Sequence, residues 1–357
     1  MPPWSSLRTG LGGLVALLIL LPATTGDAWG QDPVCSDVAG RGYLNVLTVN
    51  LLFSEVATRD ERLAALADFI APDDGDDGAA PLVDVILLQE VVGGILAGTE
   101  SSARDLRRLL RAKGFIFELR SASEFSLPGL LTVGNATLSR CDVRFRLVEL
   151  LPPQPEFEIG GEAIEIPRNV LMTGIDVPDF GRIDVYNTHL CAFCTPEQRG
   201  EQLEELLEFV DGVEGFLPGE RPVVLGGDFN IDIFEDGGAE RSLYESIVSP
   251  EEPDEGFVDA YAAVTADDLA ELCNPDGEPF PDEHCTFGVT LLSDPEDGGR
   301  IDYVFVRNFG PVLDATVLFN TRIDPAEPTV SDHAGVFVRV ALPSAPSEAM
   351  RTADAGH

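Results

Sequence analysis

Four apolar runs rich in β-branched residues each end in, or are interrupted by, a short polar cluster, and this pattern constrains the fold more than any other feature. Continuous apolar runs of roughly four to eight residues predict strands that are buried on both faces of a sheet. Polar side chains that follow such strands lie at the edge of the sheet, outside the hydrophobic core. The four runs are VDVILLQE, IDVYNTHL, RPVVLGGDFN and IDYVFVR. We therefore expect one rim of a buried sheet to carry Glu90, His189, Asp228, Asn230 and Asp302.

The chemistry of these side chains indicates a hydrolytic site. Carboxylates, amides and imidazoles that converge at one rim can bind a metal ion, activate water and transfer protons. The motif SDH adds Asp332 and His333 after the last of the four runs. A lone Glu90 at a strand end is an ordinary surface residue more often than a ligand, but independent strand ends rarely carry this whole combination. The joint set therefore predicts metal-assisted hydrolysis.

The first 30 residues have the organisation of a secretory signal peptide. Arg8 supplies the basic region, residues 11–21 form an apolar stretch too short to span a bilayer, and Ala28-Trp29-Gly30 forms a small-residue cleavage site. We expect the mature protein to be secreted or periplasmic. No later stretch approaches the roughly 18 uninterrupted apolar residues of a transmembrane helix, so we expect no transmembrane segment.

The rest of the chain is long enough for one large α/β domain with a sizeable core, which we predict over residues 31–342. The stretch 343–357 lacks apolar periodicity and is predicted to be a disordered tail. There is no internal repeat, and no feature of the sequence indicates an obligate protein partner.

Strand and helix patterns alternate in the first part of this domain. Strands are predicted at 44–50 and 83–90, and helices at 59–70 and 103–114. A β-rich stretch follows, with turn residues between the runs ATLSR, VRFRLVEL, VLMTGIDV and IDVYNTHL. The letters TPEQ supply an N-cap, a proline at the first helical position and a capping-box glutamine, which open a helix predicted to reach Val210. This order of elements predicts an α/β sandwich.

Six cysteines, an even number in a chain predicted to be exported, indicate disulfides. Six cysteines allow fifteen pairings, and the residues alone do not choose among them. Closeness in sequence favours Cys191–Cys194 and Cys273–Cys285, which leaves Cys35 for Cys141. A zinc site formed by Cys191, Cys194 and His189 is an alternative, but the second ligand pair of a structural zinc site is missing.

The chain is strongly acidic, with a formal net charge of −39 and a single lysine, Lys113. Acidic residues concentrate in turn-like stretches at 72–78, 249–256 and 294–299, which we interpret as solvated loops because no spacing matches an EF-hand. A polyanionic duplex or an anionic membrane would be repelled at low salt, whereas high salt would screen the repulsion. Such acidity also suits a saline habitat.

The ordered set formed by Asn50, LLQE, NTHL, GGDFN, RIDYVF and SDH resembles the endonuclease/exonuclease/phosphatase superfamily. That superfamily includes pancreatic-type deoxyribonucleases, abasic-site endonucleases, secreted sphingomyelinases and inositol-polyphosphate phosphatases. The resemblance covers roughly residues 43–342, nearly the whole of the predicted mature chain. It implies a four-layer α/β/β/α sandwich, in which two mixed β-sheets pack face to face with helices outside. It also implies a magnesium-type phosphoesterase site at the strand ends.

The resemblance assigns the metal to three residues. Glu90 would be the principal carboxylate ligand, and Asn50 would contribute an amide oxygen directly or through water. Asp332 would lie near the metal or the nucleophile. Hard oxygen ligands that leave room for bound waters suit Mg²⁺ or Mn²⁺.

The resemblance assigns the chemistry to five further residues. Asp228 would orient or deprotonate the attacking water. Asn230 follows it by two residues, so it lies on the same face of the strand and would hydrogen-bond a phosphate oxygen. His333 would act as general acid or base, or as a charged stabiliser of the transition state, with its tautomer set by Asp302. His189 would donate to a phosphoryl oxygen from the opposite side.

The sequence allows two roles for one arginine. Arg140, in ATLSR, is placed about equally well in contact with a substrate phosphate or in a surface ion pair.

The substrate is predicted to be a phosphodiester or phosphomonoester, with a small molecule or a phospholipid headgroup ahead of duplex nucleic acid. Duplex nucleases need several basic contacts to phosphates, and the segment 104–113 is the one obvious basic cluster here. Membrane-acting enzymes expose aromatic anchors, yet both tryptophans, Trp4 and Trp29, lie in the signal segment. Phenylalanines or the pair Leu291-Leu292 could substitute weakly.

Two alternative functions stay open. An extracellular nuclease adapted to high salt would use the same site. A non-catalytic binding protein on the same scaffold is less favoured, because every expected catalytic position is occupied.

Overall fold

A computed structural model describes most of the chain, in ranges separated by gaps. The predicted signal peptide, 1–30, lies outside the described residues, and so does the predicted tail apart from its first residue, so both boundaries stay predictions. Most of the acidic stretches 72–78 and 249–256 also lie outside them. The described residues are 35–72, 82–159, 162–216, 220–233, 238–249, 256–265, 273, 284–295 and 298–343.

Six helices and fourteen strands are present in the described ranges. In chain order they are α1 (Ser36–Arg41), β1 (Tyr43–Asn50), α2 (Arg59–Ile70), β2 (Val85–Gly93), α3 (Ser102–Ala112), β3 (Glu118–Leu127), β4 (Leu131–Ser139), β5 (Asp142–Leu150), β6 (Gln154–Ile159), β7 (Glu162–Ile166), β8 (Asn169–Val177), β9 (Gly181–His189), α4 (Pro196–Phe216), β10 (Val223–Asp228), α5 (Ala239–Val248), β11 (Val258–Asp259), α6 (Ala262–Thr265), β12 (Asp302–Arg307), β13 (Val312–Leu318) and β14 (Gly335–Ala341).

Twelve of the strands form two six-stranded sheets. The first sheet has the order β13-β14-β1-β2-β4-β3, and the second has the order β11-β12-β10-β9-β8-β5. Each sheet is mixed, because β1 and β2 in the first and β9 and β10 in the second are parallel while the other neighbours are antiparallel. Strands β6 and β7 form a separate hairpin. The predicted sandwich of two mixed sheets with helices outside is confirmed.

Three hydrophobic cores separate the four layers. One core lies between the sheets and joins Val46 and Val85 of the first to Val224 of the second. The neighbouring residues in each strand point the other way. They meet α2 and α3 on the outside of the first sheet, and α4 and α5 on the outside of the second. Strands buried on both faces explain why the sequence shows continuous apolar runs instead of alternation.

The helices follow the sequence patterns closely at their starts and less closely at their ends. The predicted capping box is present, since the Gln198 amide donates to Oγ1 of Thr195 at 3.4 Å and the Thr195 amide donates to Oε1 of Gln198 at 3.0 Å. Helix α4 runs to Phe216, past the predicted end at Val210. Glu214 joins its last turns to the second sheet by accepting a hydrogen bond of 2.7 Å from the Tyr186 hydroxyl. Within the described part of the chain, no helix is long and apolar enough to cross a bilayer.

Two glycines at the end of β10 allow close backbone packing beneath the site. A Cβ at Gly227, which has φ of 141°, would lie 2.0 Å from the carbonyl oxygen of Thr188. A Cβ at Gly226 would lie 2.7 Å from Cδ1 of Leu87 on the facing sheet. The GGDFN motif therefore brings Asp228 closer to both neighbours than a strand with side chains at these positions could.

The structure contains the three predicted disulfides, Cys35–Cys141, Cys191–Cys194 and Cys273–Cys285, with Cα atoms 4.9, 5.6 and 4.7 Å apart. Both sulfurs of the CxxC sequence are bonded to each other. The alternative zinc site at Cys191, Cys194 and His189 is therefore excluded.

A cluster of charged side chains around the buried Asp84 lies at the sheet end opposite the predicted site. Asp84, just before β2, is fully buried. Its carboxylate forms ion pairs with Arg41 and Arg140, the latter at 2.8 Å. Arg140 also pairs with Asp37 at 3.1 Å, and Asp37 pairs with Arg41 at 2.9 Å. We call these four residues the far-end ion cluster. They decide the position of Arg140, which forms ion pairs and does not face the predicted site.

Candidate active site

The strand order brings four of the predicted residues to adjacent positions. Asp228 ends β10, and its register partners are His189 at the end of parallel β9 and Asp302 at the start of antiparallel β12. Asn50 ends β1 of the facing sheet and donates from Nδ2 to Oδ2 of Asp228 at 3.0 Å. Asp228 is therefore the point where the two sheets meet at this rim.

Glu90 lies in β2 at an irregularity in its pairing with β4. The register shifts between Leu88 and Val91, and Glu90 has φ of 54°, a conformation that is uncommon for a residue with a side chain. Its Oε2 accepts from the Phe53 amide at 2.7 Å. The irregularity turns this carboxylate toward the loop that follows β1.

The surroundings of Glu90 fit a cation. Burial raises the pKa of Glu90, and the neighbouring carboxylate of Asp332 raises it further. Oδ1 of Asp332 accepts from the Ser331 hydroxyl at 3.0 Å, and Oδ1 of Asn50 accepts from the Leu52 amide at 3.0 Å. Two like charges in a poorly solvated place are unfavourable unless a positive ion compensates them. Carboxylate and amide oxygens are the donors that Mg²⁺ and Mn²⁺ prefer.

His333 forms an ion pair with Asp302. Its Nδ1 lies 2.9 Å from Oδ2 of Asp302, its Nε2 lies 3.7 Å from Oδ2 of Asp228, and its ring centroid lies 4.9 Å from that of Phe287. Burial lowers the pKa of His333, but Asp302 and Asp228 together outweigh burial, so the pKa stands well above its ordinary value. The arrangement favours an imidazolium whose Nε2–H points at Asp228.

His189 has a different environment on the other side of Asp228. Its Nε2 lies 3.5 Å from Oδ2 of Asp228, and its Nδ1 lies 3.0 Å from Nη1 of Arg168. Burial holds the pKa of His189 well below its ordinary value, and the positive charges of Arg168 and His333 lower it further. His189 is therefore neutral. Arg168 was not predicted from the sequence, because it precedes β8 in an unremarkable PRNV stretch.

Asp228 has an unusual affinity for protons. Burial, with the negative charge of Asp302, raises the pKa of Asp228 to about 7. Its Oδ1 accepts from the Asn230 amide at 3.0 Å. A carboxylate with this pKa can accept a proton near neutral pH.

Asn230 is close to the site by a route that differs from the predicted one. Strand β10 ends at Asp228, so strand alternation does not set the direction of Asn230. Asn230 instead has φ of 52° just beyond the strand, and its Nδ2 donates to the Leu190 carbonyl oxygen at 3.1 Å. Asparagine tolerates this left-handed conformation better than most residues.

Within the described ranges, one group of three potential metal ligands is compact, with atoms of Asp228, Asp302 and His333 all within 4.8 Å of one another. A protonated imidazole has no lone pair for a metal. Its carboxylate neighbours raise the pKa of His333, which makes this imidazole a poor metal ligand in the metal-free protein. Asn50, Glu90 and Asp332 offer amide and carboxylate oxygens, the donors that suit a divalent ion.

The sandwich and the acid, amide and imidazole groups at its strand ends define a class of hydrolases that act on phosphoester bonds. The chain belongs to the endonuclease/exonuclease/phosphatase family, whose model matches residues 47–333. The resemblance on which the sequence analysis relied is thereby confirmed. No curated protein matches the chain.

Solved structures share the fold at low sequence identity. A family protein from Leptotrichia buccalis is 20% identical with a TM-score of 0.56, over 84% of this chain and 100% of that one. A family protein from Beutenbergia cavernae is 24% identical with a TM-score of 0.55, over 86% and 73%. A mannosyl-6-phosphatase from Bacteroides thetaiotaomicron is 19% identical with a TM-score of 0.54, over 84% and 100%. At these identities the similarity establishes the fold alone.

Proposed function

We propose that this protein is an exported, metal-dependent phosphoesterase that hydrolyses a phosphodiester or a phosphomonoester, with a small molecule or a phospholipid headgroup as substrate. The observation that carries the proposal is the position of Asp228, which meets Asn50, His189 and His333 and has a pKa of about 7. Membership of a family of phosphoester hydrolases supports it. The mannosyl-6-phosphatase among the structural neighbours acts on a phosphomonoester of a sugar, which is compatible with a small substrate.

Asn50, Glu90 and Asp332 would hold Mg²⁺ or Mn²⁺. When bound, the ion would supply Lewis-acid stabilisation of the charge that develops on the phosphoryl group. Glu90 and Asp332 repel each other in the protein alone, which supports a role in binding a cation.

The protein's own groups would handle the protons. Asp228 would accept a proton from the attacking water while the water oxygen bonds to phosphorus. His333 would donate its Nε2 proton to the departing ester oxygen as the bond between phosphorus and that oxygen breaks. Asp302 would keep the other imidazole proton on Nδ1, which its contact of 2.9 Å supports. His189 and Asn230 would donate hydrogen bonds to phosphoryl oxygens.

An exposed apolar surface favours an amphiphilic substrate. Ile95, Leu96, Leu127 and Leu130, which we call the apolar rim, lie after β2 and at the turn between β3 and β4. Ile95 and Leu96 are 76% and 64% exposed, although their loop is held by a bond of 3.0 Å from the Leu96 amide to the Leu130 carbonyl oxygen. Apolar side chains presented on a fixed backbone indicate a contact surface.

A salt-tolerant nuclease remains the alternative, and charge weighs against it. A net charge of −39 repels a duplex over many phosphates, whereas a small ester or a zwitterionic headgroup meets that repulsion once or twice. At about 0.1 M salt, where the Debye length is roughly 10 Å, small phosphoesters should be hydrolysed more efficiently than duplex DNA. Duplex DNA as the best substrate at low salt, with cleavage that falls as salt is added, would establish the nuclease instead.

A phosphoester panel with Mg²⁺, Mn²⁺ or Ca²⁺, and with EDTA, tests the proposal. Glu90→Gln should weaken metal affinity and lower turnover by about 100-fold, while circular dichroism and thermal unfolding stay close to wild type. Unchanged activity in EDTA would contradict the metal assignment. Absence of turnover across the whole panel would favour a non-catalytic binding protein on this scaffold.

The apolar rim is tested with the double substitution Ile95→Ser, Leu96→Ser. Turnover of a phospholipid in zwitterionic vesicles should fall, whereas turnover of a short-chain soluble ester should not change. Leu313→Ser is the matched control, because Leu313 is half exposed near the opposite end of its sheet. Equal losses on both esters would exclude a role for the rim in substrate contact.

A further inference from the structure

Arg168 is a buried arginine beside His189 for which the proposed chemistry gives no role. It directly precedes β8 and is only 6% exposed. Its Nη1 lies 3.0 Å from Nδ1 of His189 and 3.3 Å from Oε2 of Glu124 on β3. One guanidinium nitrogen thus joins a buried carboxylate of the first sheet to an imidazole of the second.

The contact between Arg168 and His189 decides where the imidazole proton is. A guanidinium has only donors and keeps its charge at any pH at which proteins fold. A nitrogen of His189 that faces it at hydrogen-bond distance must therefore be the acceptor. Nδ1 of His189 then has the lone pair, and a neutral ring carries its proton on Nε2.

The Nε2–H of His189 points into the site. Nε2 lies 3.5 Å from Oδ2 of Asp228, at the rim where substrate would bind. His333 has the opposite arrangement of partners, because its Nδ1 faces the carboxylate of Asp302 at 2.9 Å. The two imidazoles beside Asp228 are thus set by partners of opposite charge.

The guanidinium itself is held from behind. Glu124 is buried, and its second oxygen accepts from Nδ2 of Asn135 on β4 at 2.8 Å. Asn135 also contacts the Asn169 side chain at 3.3 Å, at the start of β8. Because Glu124 is fixed by a neighbouring strand, the direction of the Arg168 donors is fixed as well.

We propose that Arg168 is a positioning residue that holds His189 in the neutral tautomer protonated at Nε2, so that His189 serves as a fixed hydrogen-bond donor to a phosphoryl oxygen and takes no part in proton transfer. The donor role rests on the proposed phosphoesterase function. The assignment of the tautomer does not depend on that function, since it follows from contacts within the protein. The two parts are therefore tested separately.

Nitrogen NMR of the full chain labelled with ¹⁵N-histidine tests the tautomer directly. The chain has four histidines, and the His189 signals are assigned by their loss in His189→Asn. At neutral pH with Mg²⁺ present, we expect Nδ1 of His189 in the unprotonated chemical-shift range and Nε2 in the protonated range. A proton on Nδ1, alone or together with one on Nε2, overturns the proposal in the wild-type protein, whatever the variants do.

Variants then separate positioning from packing. Arg168→Lys keeps a side chain that only donates, so the tautomer should persist and kcat should fall less than in Arg168→Gln. Arg168→Gln can also accept from Nδ1–H, so the Nδ1-protonated form should appear and kcat should fall roughly 10- to 100-fold, the range typical of partners that orient a functional imidazole.

Glu124→Gln is the control for disturbance of the buried network. It removes the negative charge behind Arg168 but keeps a side-chain oxygen that can still accept from the guanidinium. The arginine donors should therefore still face His189, and the tautomer should not change. A tautomer change in Glu124→Gln equal to that in Arg168→Gln would assign the effect to the network as a whole and overturn the proposal. If wild type shows the expected tautomer but hydrolyses no phosphoester, the positioning role of Arg168 stands and the proposed function fails.

Discussion

Buried carboxylates occur at both ends of the sheets, but their partners differ. In the far-end ion cluster, Asp84 forms ion pairs with two arginines, and the positive charges equal the negative charges in number. At the site end, Glu90, Asp228, Asp302 and Asp332 come together, and in the described part of the chain no arginine forms an ion pair with any of the four. One end has equal numbers of positive and negative groups, and the other has an excess of negative charge.

The contrast separates charge that stabilises the fold from charge that is retained for another purpose. Taking a carboxylate out of water costs several kcal/mol unless a partner compensates it, as a rough guide. The two arginines compensate Asp84 only in part, because burial still raises the pKa of its carboxyl. At the site end the carboxylates face the His333 imidazole and, without an ion pair, the guanidinium of Arg62, which acts on Asp332 and Glu90. Burial still raises the pKa of Asp228 to about 7. Such uncompensated groups are typical of sites that bind a cation and transfer protons.

Asp228→Asn should show the largest effect, and it tests the site end of the comparison. Loss of the proton acceptor should lower kcat by roughly 100- to 10,000-fold. The free energy of unfolding above pH 7 should be unchanged or higher, because the raised pKa means that an ionised Asp228 destabilises the folded state there. Steady-state kinetics and urea unfolding measure the two. A large loss of stability with normal kcat per folded molecule would break the comparison.

Asp302 and His333 should behave as one unit. Asp302→Asn removes the acceptor for Nδ1 of His333, and His333→Ala removes the imidazole, so each should lower kcat by about 100-fold or more. Their losses should not add in the double variant, because the second change removes a group that the first has already made ineffective. The double-mutant cycle in kcat decides this, and additive losses would argue against the pair.

Asp84→Asn tests the opposite end and should have the reverse outcome. Two partly buried arginines would lose their carboxylate, so the free energy of unfolding should fall by about 3–5 kcal/mol. The kcat of the folded fraction should not change, since the far-end ion cluster lies at the other end of the strands. Urea unfolding and active-site titration check the two halves. A loss of kcat without a loss of stability would mean that the ends are coupled.

The smallest predicted effect concerns the two imidazoles and pH. The pKa of His189 is lowered, so the unfolded chain takes up a proton below pH 6.5 that the folded chain refuses, and stability should fall as the pH drops. The pKa of His333 is raised, so its stabilisation is complete below pH 6.5 and is lost as the pH rises through the folded value. His189→Gln should flatten the acid side of the stability profile, and His333→Gln the alkaline side. The same slope change in both variants would contradict the assignment.

The sequence predicted what depends on local pattern. Apolar runs located the buried strands, the TPEQ box located the start of α4, and the motifs located Glu90, Asp228 and His333. Each of these signals comes from neighbouring residues, and the family resemblance supplied the four-layer arrangement of two mixed sheets.

The rest depends on contacts between distant segments. Arg168 approaches His189 because β8 pairs with β9, and its carboxylate partner Glu124 comes from the other sheet. Nothing in the letters around Arg168 encodes that approach. The prediction that Asn230 continues the strand was wrong, because β10 ends at Asp228. The exposure of Ile95 and Leu96 also depends on the tertiary fold.

The position of the site residues along the chain has a consequence for synthesis. Asn50 ends the first strand, whereas Asp332 and His333 lie just before the last strand, β14, which pairs with β1 at the centre of the first sheet. Long-range pairing of this kind forms late in folding, after the intervening chain is available. A nascent chain without β14 therefore has neither a complete sheet nor a complete set of catalytic groups. Under the proposed function, a chain that lacks this last segment would therefore be inactive.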